Sequence, residues 1–104
     1  MKILDWLRQR QETPESRRIL GEDARQLLEN KLLQASFAMV GEYLDRVALS
    51  CDPDNKDQAQ RIILTKQLFA SLRREIERCI EDGEVARVEI AELEKTQRVR
   101  QFRR

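Results

Sequence analysis

The chain has 104 residues, of which 40% are hydrophobic and 38% charged, and its 20 basic and 19 acidic residues leave a net charge of +1. This balance excludes a global electrostatic attraction to nucleic acid or membranes, and no apolar run approaches the ~20 residues of a membrane span. A chain of this length is expected to form one helical domain over residues 1–104 with a modest core. We expect it in the cytoplasm, or within a virion assembled there.

The N-terminal segment, residues 1–20, is predicted to form short helical pieces. Residues 2–11 place apolar side chains on one side of an amphipathic helix. A second start follows, with Thr13 as N-cap, Pro14 at the first helical position and an acid in the first turn. Gly21 either ends this piece or is absorbed into a longer helix.

Residues 22–50 have a strongly helical apolar pattern and are predicted to form one long helix. Apolar residues recur in steps of four and three, which is typical of a coiled-coil seam, at Leu33, Phe37, Val40, Leu44 and Val47. A neighbouring stripe follows Ala24, Leu28, Leu32, Ala35, Met39 and Tyr43. The helix is apolar nearly all round between Ser36 and Val40, so we expect more than one packing partner there.

A turn over residues 50–55 precedes a second predicted helix, 56–102. Its seam follows Ile62, Thr65, Phe69, Leu72, Ile76, Cys79, Gly83, Ala86, Ile90 and Leu93. The seam keeps its phase across Gly83, which favours one continuous helix whose missing side chain lets another backbone approach. The chain has few glycines and prolines and no apolar–polar alternation, so we predict an all-α fold. The predicted architecture is an antiparallel helical hairpin of two long helices with a short N-terminal helix and coiled-coil-like packing.

The second helix is longer than the first, and this overhang predicts an interaction function. Folded back on itself, helix 22–50 covers helix 56–102 only to about residue 84. The stripe beyond it must be buried by residues 3–20 or by another chain. Its acidic surroundings, eight acids against two bases over residues 75–94, suit the basic N-terminal segment. The predicted protein-interface residues are Ile3, Leu4, Trp6, Leu7, Phe37, Met39, Val40, Ala86, Ile90, Leu93, Val99 and Phe102.

Catalytic and metal chemistry are predicted to be absent. The chain has no histidine, so Ser–His and Cys–His pairs and histidine-ligated metal sites cannot form. Its three glycines are isolated and make no phosphate loop, and Asp52–Asp57 lacks the glycine and closing glutamate of a calcium loop. Cys51 and Cys79 are expected to be reduced thiols. We expect no cofactor and no small-molecule substrate.

The basic C-terminal decapeptide supports an alternative, a nucleic-acid-binding accessory protein. Five bases and no acids occur there, at Lys95, Arg98, Arg100, Arg103 and Arg104. Such a cluster can bind phosphates. Cations also complement the C-terminal end of a helix dipole, which requires no ligand.

In general build the chain resembles the small all-helical structural and assembly proteins of tailed phages. The resemblance lies in the run Ala48–Ile63 and in Arg73–Gly83. It implies an adaptor, plug or assembly factor and carries over no functional residue. We therefore expect a non-enzymatic structural or assembly protein that contacts itself or a larger assembly through its helices.

Overall fold

A computed structural model describes residues 2–102, without the side chain of Phe102. Within this range the protein is all-helical, with four helices and no strand: α1 (Lys2–Arg10), α2 (Pro14–Glu29), α3 (Lys31–Ser50) and α4 (Lys56–Phe102). The all-α prediction is confirmed. None of the helices described is both long and apolar enough to cross a membrane.

Side-chain caps explain where α2 and α4 begin. The backbone N–H of Ser16 donates to Oγ1 of Thr13 (3.1 Å), which satisfies one of the free donors at the start of α2. Asn55 accepts in the same way from the N–H of Gln58 (3.2 Å) at the start of α4. The cap predicted at Thr13 is confirmed. Helix α4 then continues through Gly83 without interruption.

The predicted single helix over residues 22–50 is wrong, because the chain leaves the helical conformation at Asn30. This residue is extended (φ −67°, ψ 121°), and its side chain accepts from the N–H of Leu33 at 3.0 Å. Asparagine is among the strongest N-caps, and its local hydrogen bond replaces the continuous backbone ladder. Helix α2 correspondingly begins at Pro14 and absorbs Gly21, so no separate piece ends at residue 20.

The chain divides into two compact units. The first joins the segment up to Gln26 with the segment from Glu77 onward, and the second is Leu27–Ile76. In the second unit the rings of Phe37 and Phe69 lie 5.4 Å apart at a tilt of 54°, and Leu44 is buried. An ion pair between Lys66 Nζ and Asp45 Oδ1 (2.9 Å) adds a further contact between α3 and α4.

Candidate interaction surfaces

Two glycines bring α2 and α4 into backbone contact in the first unit. A Cβ added to Gly21 would lie 2.7 Å from Cα of Gly83 and 2.9 Å from the carbonyl oxygen of Cys79, and one added to Gly83 would lie 2.8 Å from Cα of Gly21. Carbon atoms do not pack that closely, so any side chain at either position would force the helices apart. Ala24 and Ala86, three residues beyond each glycine, are buried. The approach of another backbone at Gly83, expected from the sequence, is therefore observed, and Gly21 provides it.

One ion pair joins the two helices beside this crossing. Arg17 on α2 donates from Nη2 to Oε2 of Glu89 on α4 at 2.5 Å, and both side chains are partly shielded from water. The pair connects the basic N-terminal segment with the acidic stretch of α4, as their charges suggested. It helps set the register of α2 along α4.

The charged pairs within α2 are local. Arg18 donates to Glu15 at 2.5 Å, and Arg25 donates to Glu22. The hydrogen bond from Arg18 lowers the pKa of the Glu15 carboxyl, and the carboxylate in turn raises the pKa of Arg18. Arg25 lowers the pKa of Glu22 in the same manner. Lowered values on solvent-accessible carboxylates are those of surface ion pairs and do not indicate general acids.

The predicted interface residues of the C-terminal arm, the part of α4 from residue 85 onward, fall into two groups. Ala86 is fully buried at the crossing and Ile90 is half-buried, so part of the predicted stripe is covered by the chain itself. Leu93 and Val99 are exposed. The side chain of Phe102 lies outside the described residues.

A second row of apolar side chains on the arm was missed by the sequence prediction. Val85 and Val88 are exposed and lie about 100° and 160° around α4 from Ala86, since each residue turns a helix by 100°. A shallow groove of about 450 Å³ follows this row. Its lining residues are Val85, Val88, Glu89, Glu92, Leu93 and Thr96. Val85, Val88 and Val99 share this side of the helix in the sequence, but Glu92 interrupts their row, and the stronger seam beside it was chosen instead.

Helix α1 exposes most of its predicted contact residues. Ile3, Leu4 and Trp6 are exposed and Leu7 is half-buried. The guanidinium of Arg10 lies 5.5 Å from the centroid of the Trp6 ring, a cation–π contact within the same helix. Docking of these side chains into a groove stays a prediction.

In the second unit, the predicted residues of α3 differ in burial. Phe37 contacts Phe69 and is half-buried, whereas Met39 and Val40 are exposed. The α4 seam is covered unevenly in the same region, because Leu72 is exposed while Phe69 is half-buried. A strict coiled-coil seam would cover both positions equally.

The basic residues proposed for nucleic-acid binding do not form one cluster among the described residues. Arg98 approaches Glu94 at 4.0 Å, and Lys95 and Arg100 lie on different sides of the helix. Arg103 and Arg104 lie outside the described residues. Nucleic-acid binding stays a prediction.

The cysteine and acidic side chains of the described residues were compared with the geometry of metal sites and disulfides. Residues 2–102 contain no group of three or more cysteine or acidic side chains placed to hold a metal ion. Cys51 and Cys79 do not form a disulfide with one another. Comparison of the chain with protein-family models, with curated proteins and with solved structures found no match.

Proposed function

We propose that this chain is a structural or assembly protein that acts through helix-mediated contacts with other protein surfaces. The observation that carries the proposal is that each unit leaves large apolar side chains in water, among them Trp6 and Leu93 in the first unit and Leu32 and Leu68 in the second. Contacts with another protein would remove these side chains from water.

The chemistry of the exposed surface supports the same proposal. Among the described hydrophobic residues only Ala24, Leu44 and Ala86 are buried, and two of these are alanines. Large apolar side chains are exposed on all four helices. Soluble monomers rarely leave contiguous apolar patches of more than a few hundred Å² in water, and larger ones mark interaction sites.

The proposal includes an architecture for the second unit, an antiparallel hairpin of α3 and the first part of α4 with coiled-coil-like packing. Phe37 pairs with Phe69 and Asp45 with Lys66, so residue numbers rise along α4 as they fall along α3. The connection between the two helices, residues 51–55, is short enough for adjacent antiparallel helices. These contacts support the hairpin.

We further propose that the protein has no catalytic activity. The absence of histidine and the exposure of the paired carboxylates in α2 support this part of the proposal. A place in a phage particle stays a prediction based on the resemblance of two segments. A location in the cytoplasm, or in a virion assembled there, stays a prediction from the sequence.

The test is whether the purified chain buries its apolar surface in an oligomer or leaves it accessible to a dye. Size-exclusion chromatography with light scattering gives the mass, circular dichroism gives the helix content, and the fluorescence of 8-anilinonaphthalene-1-sulfonate (ANS) reports accessible apolar surface. A helical oligomer, or a helical monomer that binds the dye, is expected. A helical monomer that does not bind ANS would contradict the proposal.

A further inference from the structure

The second unit has a set of exposed apolar side chains that the contact between its own helices does not use. Leu32 is 77% exposed, Met39 70% and Leu68 72%, so most of the surface of each residue is in contact with water. Together with their neighbours they form what we call the apolar face: Leu32, Met39, Val40 and Tyr43 of α3, and Leu68 and Leu72 of α4.

The two helices turn these side chains to the same side. On α3, Leu32, Met39 and Tyr43 lie about 100–140° around the helix, in one rotational sense, from the side marked by buried Leu44. On α4, Leu68 lies about 100° from Phe69, in the same rotational sense. Between antiparallel helices, equal offsets in the same sense point to the same side of the pair. The apolar face therefore extends across both helices.

The ion pair of this unit gives an independent check on that geometry. Asp45 and Lys66 are offset from the helix contact in the opposite rotational sense to the apolar face. Their side chains meet at 2.9 Å, so they occupy one common side of the helix pair. The charged contact and the apolar face consequently lie on opposite sides.

Two hydroxyls that stand beside the apolar face by their helical positions, those of Ser36 and Thr65, already have hydrogen-bond partners. Ser36 donates from Oγ to the carbonyl oxygen of Leu32 at 2.8 Å, and Thr65 donates from Oγ1 to that of Arg61 at 2.7 Å. Each bond is made within its own helix, so both hydroxyls would keep it when covered. Covering the face would therefore leave neither hydroxyl donor unsatisfied.

We propose that the apolar face binds the same face of a second copy of this chain. The inference rests on the proposed function and names its surface and partner. The six side chains expose on the order of 800 Å², which is the ~800 Å² that each partner contributes to a standard interface. Two such faces related by a two-fold axis stack one helix pair on another and form a four-helix bundle.

Charge favours a second copy over a charged partner. The second unit, Leu27–Ile76, has seven basic and seven acidic residues, so two copies carry no net charge that would hold them apart. Arg46, Arg61 and Glu75 stand at the margin of the apolar face by their helical positions, a mixed-sign rim around an uncharged centre.

The experiment is sedimentation velocity of the full chain from submicromolar to high micromolar concentration, for the parent and for two variants, Leu68→Glu and Met39→Glu. Each variant places one carboxylate on the face, on a different helix, at a position that is exposed to water in the monomer. The parent is expected to dimerise. Each variant should weaken the dimer by about tenfold or more, because an unpaired charge would have to be buried.

Leu49→Glu is the matched control. Leu49 is 88% exposed, belongs to the same unit and undergoes the same chemical change, but its helical position is outside the apolar face. Its dimer should equal that of the parent. Circular dichroism of all variants checks that helix content is kept. A variant that loses helix is replaced by Tyr43→Glu.

The outcomes separate this inference from the proposed function. A dimer weakened by Leu68→Glu and Met39→Glu but not by Leu49→Glu supports the inference. An oligomer that all three variants leave intact, or a helical monomer that binds ANS, overturns it while an interaction function through another surface or partner stands. A helical monomer without ANS binding overturns both.

Discussion

In the first unit α2 crosses α4 with Gly21 against Gly83, whereas in the second unit α3 meets α4 through the rings of Phe37 and Phe69. The glycine crossing puts backbone against backbone and leaves no room for a side chain. The aromatic contact keeps the backbones apart and fills the space with side chains that can adjust. Helix α4 thus makes one contact that requires residues without side chains and another that requires large side chains.

This difference also affects what remains exposed. Small residues let α2 and α4 approach closely and bury Ala86 completely, but glycine and alanine remove little apolar surface from water. In the second unit large side chains are abundant, and one partner helix covers only some of them. The first unit is therefore held by close backbone approach, whereas the second leaves large apolar side chains in water.

The largest expected effect comes from Gly83→Ala, which adds one methyl group at the crossing. Alanine is favoured over glycine within a helix by ~1 kcal/mol. The new Cβ would nevertheless lie 2.8 Å from Cα of Gly21, so we expect a net loss of about 2 kcal/mol in the free energy of unfolding. Denaturant unfolding gives the magnitude, and hydrogen exchange should quicken around residues 17–24 and 79–90.

Gly41→Ala is the matched control in the second unit. A Cβ on Gly41 would meet only Cε1 of Phe69, at 3.9 Å, which is an ordinary contact. The helix gain is then unopposed, and the variant should be more stable than the parent by up to about 1 kcal/mol. The stability changes of the two variants need not be equal in size. If both variants were less stable than the parent, or if neither were, the distinction between the two contacts would be lost.

A smaller effect is expected when the ion pairs of the two units are compared by double-mutant cycles. Replacing Arg17 and Glu89 by alanine, singly and together, should give a coupling of about 0.5–1 kcal/mol, because the pair is partly shielded. The Lys66–Asp45 pair is more exposed and should give less. Both should weaken as salt is added. A larger coupling for Lys66–Asp45 would contradict the view that charge sets the register mainly in the first unit.

The smallest effect concerns pH. Hydrogen bonds from Arg18 and Arg25 lower the pKa values of Glu15 and Glu22 in the folded state. Their contribution to stability is therefore present above the ordinary glutamate pKa and is lost as the pH falls through the lowered folded values. The double variant Glu15→Gln, Glu22→Gln should lose less stability than the parent on acidification. A steeper loss of stability on acidification in the variant than in the parent would contradict the lowered pKa values of Glu15 and Glu22.

Local signals explain which parts of the fold were predictable. Thr13 and Asn55 act within four residues of themselves, so the starts of α2 and α4 could be read from the residue types. Asn30 is an equally good cap, but neither glycine nor proline accompanies it and the apolar repeat passes through it. Periodicity indicated a continuous helix there, whereas the side-chain bond to Leu33 ended it.

The candidate surfaces were harder to predict because each helix has more than one apolar stripe. Leu32, Met39 and Tyr43 were recognised as a stripe, but Leu68 was not, and Leu72 was assigned to the seam that packs on α3. Its exposure follows from the rotation of α4 about its own axis, which the Phe37–Phe69 contact sets. No spacing in the sequence specifies that rotation.

The sequence by itself determined that the chain is helical, where two of its helices begin, and that its apolar residues exceed what one helix pair can cover. Those properties arise from hydrogen bonds and periodicities within a few residues. Only the tertiary structure decided which stripe of each helix is covered. That choice depends on contacts between residues far apart in the chain, such as Gly21 with Gly83, and it leaves Leu32, Met39 and Leu68 in water.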